Sequence, residues 1–201
     1  MIYSTADWII RFMRFPSDFF VKAAVSTFVL VCLLLLSGWV IRFISDLVTR
    51  FVAIFGGNTV AFWFRNYMTY VGTIHHELSH ALFVVLTGGK VEKITLIPKG
   101  KKLGSVDFRC RGNWFFRGLQ MSLSAIAPVL CGAATLYLMS NYLYPLCSAD
   151  WMKLLYFYLF ISIFFHMTLS KQDMDNFRQG SVPLLLIVYV INLLCLFTKS
   201  S

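Results

Sequence analysis

The chain has 201 residues, 58% of them hydrophobic and 13% charged, with 20 Phe and a formal net charge of +9. A water-soluble domain of this length cannot hide that much apolar side chain, so the composition excludes an ordinary soluble enzyme and points to a chain whose solvent is lipid. The basic excess reads as membrane topology and contact with anionic lipid, with no reason to invoke nucleic acid.

Residues 7–15, DWIIRFMRF, mix aromatic and aliphatic side chains with Arg11 and Arg14. They read as a short helix lying in the membrane interface; an ordinary polar-flanked lead-in is the plainer alternative. The uncharged run 23–41 then supports a first span at 23–43, long enough for the ~20 residues that cross a hydrocarbon core. The run is long for a signal-peptide core and Arg42 follows it, so it is expected to stay in the chain.

A second span is expected at 60–87, and it carries the stretch GTIHHELSHALFVV. Within it, His76-Glu77-Leu78-Ser79-His80 is an HExxH motif. Residues four apart on a helix lie one turn apart on nearly one face, so His76 and His80 can aim at one ion, and imidazole suits Zn²⁺. With a third ligand, a position remains for water, which the ion acidifies. Glu77 is placed to take that water's proton and pass it to a leaving amine, which describes peptide hydrolysis. At bilayer depth each of these ionisable groups needs a partner, so a catalytic metal is preferred to a structural cluster of polar contacts. His75 points about 100° away from His76 and is expected to pack or hydrogen-bond instead.

Gly88-Gly89 reads as the end of that helix. KVEKITLIP and LGSVDF, with a turn at KGKK, read as a β-hairpin, which near membrane depth needs protein or a watery cavity beside it. Its edge could receive an unwound substrate segment by strand addition. The alternative is a basic loop resting on lipid headgroups. Further spans are expected at 116–144, 151–169 and 181–198, and SAIAPVLCGA in the first of these reads as helix packing through small residues.

The third ligand must lie outside the motif. Between the last two spans the chain reads HMTLSKQDMDNFRQG, where Asp173 and Asp175 are acids near a span end and His166 competes. A continuous helix would set His166 about 10 Å deeper than Asp173, closer to the depth of the motif. Asp173 also fits a capping box with Ser170. Spacing leaves the three open.

Placing Arg11, Arg14, Lys22, the basic residues between 90 and 117, Lys171 and Arg178 on one side leaves Arg42, Arg50, Arg65, Lys153 and Lys199 opposite. The positive-inside rule then puts the N-terminus in the cytosol and the C-terminus outside, with Trp39, Trp63, Trp114 and Trp151 as interfacial anchors. Cys32, Cys131 and Cys195 fall inside spans, and Cys110 and Cys147 on opposite sides, so neither a disulfide framework nor a cysteine zinc site is expected.

HELSHALFVVLTGGKVEKITLIPKG resembles the start of the site-2 protease family of intramembrane zinc metallopeptidases, above all its small bacterial-type members with HELSHA followed by TGG. The resemblance implies a motif on a transmembrane helix, a hairpin dipping back toward the site, and an aspartate near the end of a later helix as the last ligand. By it, His76, His80 and Asp173 hold Zn²⁺ and Glu77 is the general base. The chain departs from the family pattern in having His166 where an Asn is expected and no Gly after Asp173.

The reading is an all-α polytopic membrane protein, a single domain over 1–201 of about five spans with a short β-hairpin, expected in the cell (inner) membrane. Its expected function is zinc-dependent endopeptidase cleavage in or near transmembrane segments of other membrane proteins. The alternative is a non-catalytic metal-binding scaffold or pseudo-protease. A transporter would show two related halves with paired broken helices, and the sequence has no such repeat. The length leaves no room for a PDZ-like or ligand-sensing module, so gating is expected to use the spans or a partner.

Overall fold

The computed structural model describes residues 2–12, 18–97 and 104–200. The KGKK turn and the last residues of the amphipathic lead-in lie outside the described residues. In chain order the elements are α1 (Ile2–Phe12), α2 (Phe19–Trp63), a π-helical turn (Phe64–Met68), α3 (Tyr70–Leu86), β1 (Lys90–Thr95), β2 (Ser105–Arg109), α4 (Trp114–Leu138), a second π-helical turn (Met139–Leu143), a 3₁₀ turn (Tyr144–Leu146), α5 (Asp150–His166) and α6 (Lys171–Ser200). Among the described residues the fold is helical with one small antiparallel hairpin, and three helical runs are long and apolar enough to cross a bilayer: Phe19–Met68, Trp114–Leu146 and Lys171–Thr198. The other two expected spans are α3 and α5, 17 residues each, or about 25 Å against a core of ~30 Å.

The boundaries of the first two expected spans shift. α2 runs on through the expected gap to Trp63, and its backbone breaks at Gly57, with φ 77° and ψ 171°. Only glycine adopts that conformation without strain. The chain reverses there, so that Arg65 donates to Asp46 across 2.6 Å. α3 starts only after the π turn and Thr69, so the expected 60–87 helix is two pieces.

Contacts between helices give their directions. Along α4 and the π turn that follows it, Ser140 Oγ lies 3.2 Å from Tyr156 Oη, Gly132 faces Met167, and Gly118 faces Pro183. α5 and α6 therefore follow one another along α4 in the opposite direction to it, separated by the non-helical stretch 167–170. α2 is also antiparallel to α6. Gly38 faces Leu169, Asn192 Nδ2 donates to Thr27 Oγ1 at 2.9 Å, and the rings of Phe19 and Phe197 meet at 6.5 Å. The start of α2 and the end of α6 thus lie at the same end of the bundle.

Burial follows the same helices. Ile41, Met139, Tyr156, Ile163 and Met167 form one core cluster, and Ala125, Ile126, Phe177 and Leu184 another. Large apolar side chains such as Phe28, Phe55, Leu154 and Phe197 point outward, the reverse of a water-soluble surface and what lipid favours. α1 tucks Ala6 and Ile10 inward while Trp8 and Phe12 stay exposed, and Asp7 pairs with Lys22 at 2.8 Å.

The hairpin turns back along α3. Gly88, at φ 83°, ends α3, and the amide of Gly89 donates to the carbonyl of Val84 at 2.8 Å, a C-terminal glycine cap as expected. β1 pairs with β2 from Lys90↔Arg109 to Thr95↔Ser105, with a bulge between Val91 and Lys93. Tyr70, at the start of α3, donates through its hydroxyl to the carbonyl of Leu96 at 3.0 Å. The far end of β1 is therefore tied to the far end of α3, and the hairpin covers the helix between.

Candidate metal centre

His76 and His80 lie one turn apart in the middle of α3, and Asp173 lies in the first turn of α6. The break at 167–170 brings these elements together. His80 Nε2 is 3.4 Å from Asp173 Oδ1 and His76 Nε2 is 4.0 Å from Asp173 Oδ2. The ligand atoms of all three residues fall within 4.8 Å of one another.

The outer nitrogens of the rings decide what the inner ones can do. His76 Nδ1 donates to the carbonyl of His166 at 2.7 Å, and His80 Nδ1 to the carbonyl of Ser124 at 2.8 Å. A carbonyl only accepts, so each Nδ1 carries the hydrogen and each Nε2 of a neutral ring keeps a lone pair. Those two Nε2 atoms face each other at 3.1 Å, beside a carboxylate and with no proton of their own to share. A cation satisfies all three groups at once. A tetrahedral ion with bonds of 2.0–2.1 Å would space its ligand atoms about 3.3 Å apart, close to what is found. Backbone carbonyls fixing the outer nitrogens are the support that ligating histidines ordinarily have. The donor set therefore fits a zinc-like ion.

The two competitors of Asp173 stand elsewhere. Asp175 is exposed, since two residues turn a helix by about 200°. His166 directs its ring away from the cluster: Nδ1 donates to the carbonyl of Ser162 at 3.0 Å and Nε2 lies 3.1 Å from Thr73 Oγ1. Its contribution to the centre is its backbone carbonyl. The capping box is also present, with the amide of Ser170 donating to Asp173 Oδ2 at 2.8 Å and the amide of Asp173 to Ser170 Oγ at 3.1 Å. Capping and the centre share one carboxylate. His75 hydrogen-bonds to Thr135 Oγ1 at 3.0 Å, away from the cluster.

Glu77 is buried and lines two cavities that flank the histidines. One, about 310 Å³, is bounded by His76, His80, Asp173 and the start of β2. The other, about 250 Å³, is bounded by His76, Arg42, Arg65 and the broken segment before α6. Gly104 lies directly over Glu77, where a Cβ would come within 2.6 Å of Glu77 Cγ. The hairpin thus reaches the carboxylate, and glycine permits the approach.

Several residues that build the site had no motif to announce them. Ser162 Oγ donates to the carbonyl of Thr69 at 3.0 Å and accepts from the amide of Gly72 at 2.8 Å, pinning α5 to the start of α3. At Gly72 a Cβ would collide with the backbone carbonyl of Ser162, so the two helices touch backbone to backbone. Gln120 accepts from the amide of Arg111 at 2.8 Å and donates to the carbonyls of Thr87 and Arg111 at 3.0 and 3.1 Å. It joins α3, the hairpin exit and α4. A lone buried amide in an otherwise apolar run was the available signal for Gln120. Ser162 and Gly72 gave none.

A family model described as Peptidase M50B-like matches residues 62–199, from the end of α2 through α6. No curated protein and no solved structure matches the chain.

Proposed function

The chain belongs to the Peptidase M50B-like family, and from that premise we propose that it is a zinc-dependent intramembrane endopeptidase cleaving in or near transmembrane segments of membrane proteins. The observation that carries the reading is the convergence of His76, His80 and Asp173 beside Glu77, amid helices of membrane length. His76, His80 and Asp173 would hold the ion. When bound, Zn²⁺ supplies Lewis acidity toward a water and a peptide carbonyl.

The chain's own residues do the rest. Glu77 takes a proton from the attacking water as its oxygen bonds to the peptide carbon. It returns that proton to the amide nitrogen as the C–N bond breaks, leaving a carboxylate and an amine. The carbonyls of His166 and Ser124 keep the two imidazoles aimed inward. The hairpin over Glu77 shields the carboxylate from lipid and presents β2 along one cavity, where an unwound segment can lie extended.

The substrate therefore comes from the bilayer, and the proposed setting is a cell membrane. α1, the start of α2 and the end of α6 lie toward the end of the bundle where the chain leaves α3 for the hairpin, and that end is cytosolic by the positive-inside rule. Arg50 and Lys153 lie toward the other end. The chain crosses an even number of times, with two of its crossings broken beside the site. Irregular backbone at that depth is tolerated because it lines a cavity.

The test is cleavage of a transmembrane substrate by purified protein, alongside zinc content, for wild type and Glu77→Gln. Wild type is expected to cleave; the variant is expected to lose cleavage while keeping zinc and thermal stability near wild type, because only proton transfer is removed. Zinc binding without cleavage in wild type would favour a metal-holding scaffold.

A further inference from the structure

The cavity of about 250 Å³ next to Glu77 has a wall that peptide hydrolysis does not use. Arg42, from α2, and Arg65, from the π turn before α3, both line it, together with Lys171. Arg65 Nη1 lies 2.6 Å from Asp46 Oδ1, while Arg42 Nε is 3.9 Å from Asp46 Oδ2 and its Nη1 donates to the carbonyl of Leu169 at 3.1 Å. Two guanidinium groups thus share one carboxylate, and Lys171 adds a third cation to the same wall. Charge set among membrane helices is costly unless paired. Each guanidinium has five N–H donors in a planar fork, so donors remain after the contacts just described. The cavity is smaller than the ~300 Å³ at which small-molecule sites begin, the size for one side chain or a chain end.

We propose that the Arg42–Arg65 cavity is a carboxylate-binding subsite, holding either an acidic side chain close to the scissile bond or a carboxylate that ends a peptide. It rests on the peptidase reading for its purpose, since it adjoins Glu77 and His76, but the binding itself needs no turnover. Asp46 serves as an internal competitor: it holds the guanidiniums in place and weakens their hold on an outside carboxylate. A purely structural ion pair would behave in the opposite way, because loss of Asp46 would only disorder the arginines.

The experiment measures binding of fluorescent peptides to the full chain in detergent, in wild type, Asp46→Asn, Arg65→Gln and Arg65→Lys. The probes share one apolar sequence with Asp, Asn or Lys at the centre and an amidated end, plus the Asn peptide with a free terminal carboxylate. Wild type is expected to bind a carboxylate-bearing probe at least tenfold more tightly than its uncharged twin, or about 1.4 kcal/mol. Asp46→Asn should widen that ratio, Arg65→Gln should erase it, and Arg65→Lys should keep part of it. Preference for the Asp peptide identifies the side chain as ligand, and preference for the free acid identifies the chain end. Equal binding of charged and uncharged probes, a narrower ratio in Asp46→Asn, or no binding of any probe overturns the subsite. Because cleavage is scored separately, an inactive protein that still selects carboxylate retains the subsite, and an active one indifferent to it does not.

Discussion

Among single residues, the motif was legible because a helix repeats nearly every four positions, and that arithmetic holds inside α3. It could not rank the candidates for a third ligand because the path from His166 to Asp173 is not one helix. α5 ends at His166 and α6 starts at Lys171, so rise per residue could not rank their depths. The structure turns the His166 ring toward Thr73 and Ser162 and leaves Asp173 facing both motif histidines. Asp173→Ala is therefore expected to lower zinc affinity at least tenfold, whereas Asp175→Ala and His166→Ala, which keep the carboxylate and the backbone carbonyl, should change it far less. Metal titration of the three purified variants checks this, and an empty site in His166→Ala with a full one in Asp173→Ala would reverse the assignment. Arg42 and Arg65 were legible only as charges flanking spans. Their approach to Glu77 depends on the reversal at Gly57, which composition does not reveal.

For the elements, the long helices and the hairpin could be read from apolar runs, β-branched residues and paired glycines. Their ends were harder: Gly56-Gly57-Asn58-Thr59 and Arg65-Asn66 stand at the two breaks, but apolar residues resume within a few positions of each, so neither the length of α2 nor the late start of α3 could be read from the runs. What holds the hairpin was equally hidden, since Gln120 works through backbone groups. Gln120→Ala removes three hydrogen bonds from a nearly sealed site and leaves the carbonyl of Thr87 and the backbone of Arg111 without them. A loss of about 1–3 kcal/mol is expected, seen as a lower unfolding temperature in detergent, with limited proteolysis between β1 and β2 becoming faster. An unchanged melting curve would mean that the hairpin is held elsewhere.

On the scale of the whole molecule, lipid as solvent was plain from composition, but the way the helices pack against one another was not. α5 and α6 continuing in one direction along α4, and Phe19 resting against Phe197, were invisible to counting because they are contacts between distant parts of the chain. Tags at the two ends are expected to be protected together from protease added to intact cells; digestion of the C-terminal tag alone would overturn the even count. An impermeant maleimide should label Cys147 in intact cells and Cys110 only after permeabilisation. Cys110 should react slowly even then, because burial pushes its thiol up while Arg117 pulls it down, so its labelling rate should keep rising with pH beyond the range of an ordinary thiol. The centre has a further consequence, for motion. α3 and α6 meet chiefly through His76, His80 and Asp173, whereas α4 packs α6 along the separate seam of Gly118, Gly180 and Pro183. An ion joining the three ligands would act as a rivet between two helices that otherwise scarcely touch. Chelation should then raise deuterium uptake in the first turns of α6 and leave uptake along the seam unchanged. The stripped protein would loosen locally and stay folded, the opposite of a small zinc domain whose fold exists only while the metal is bound.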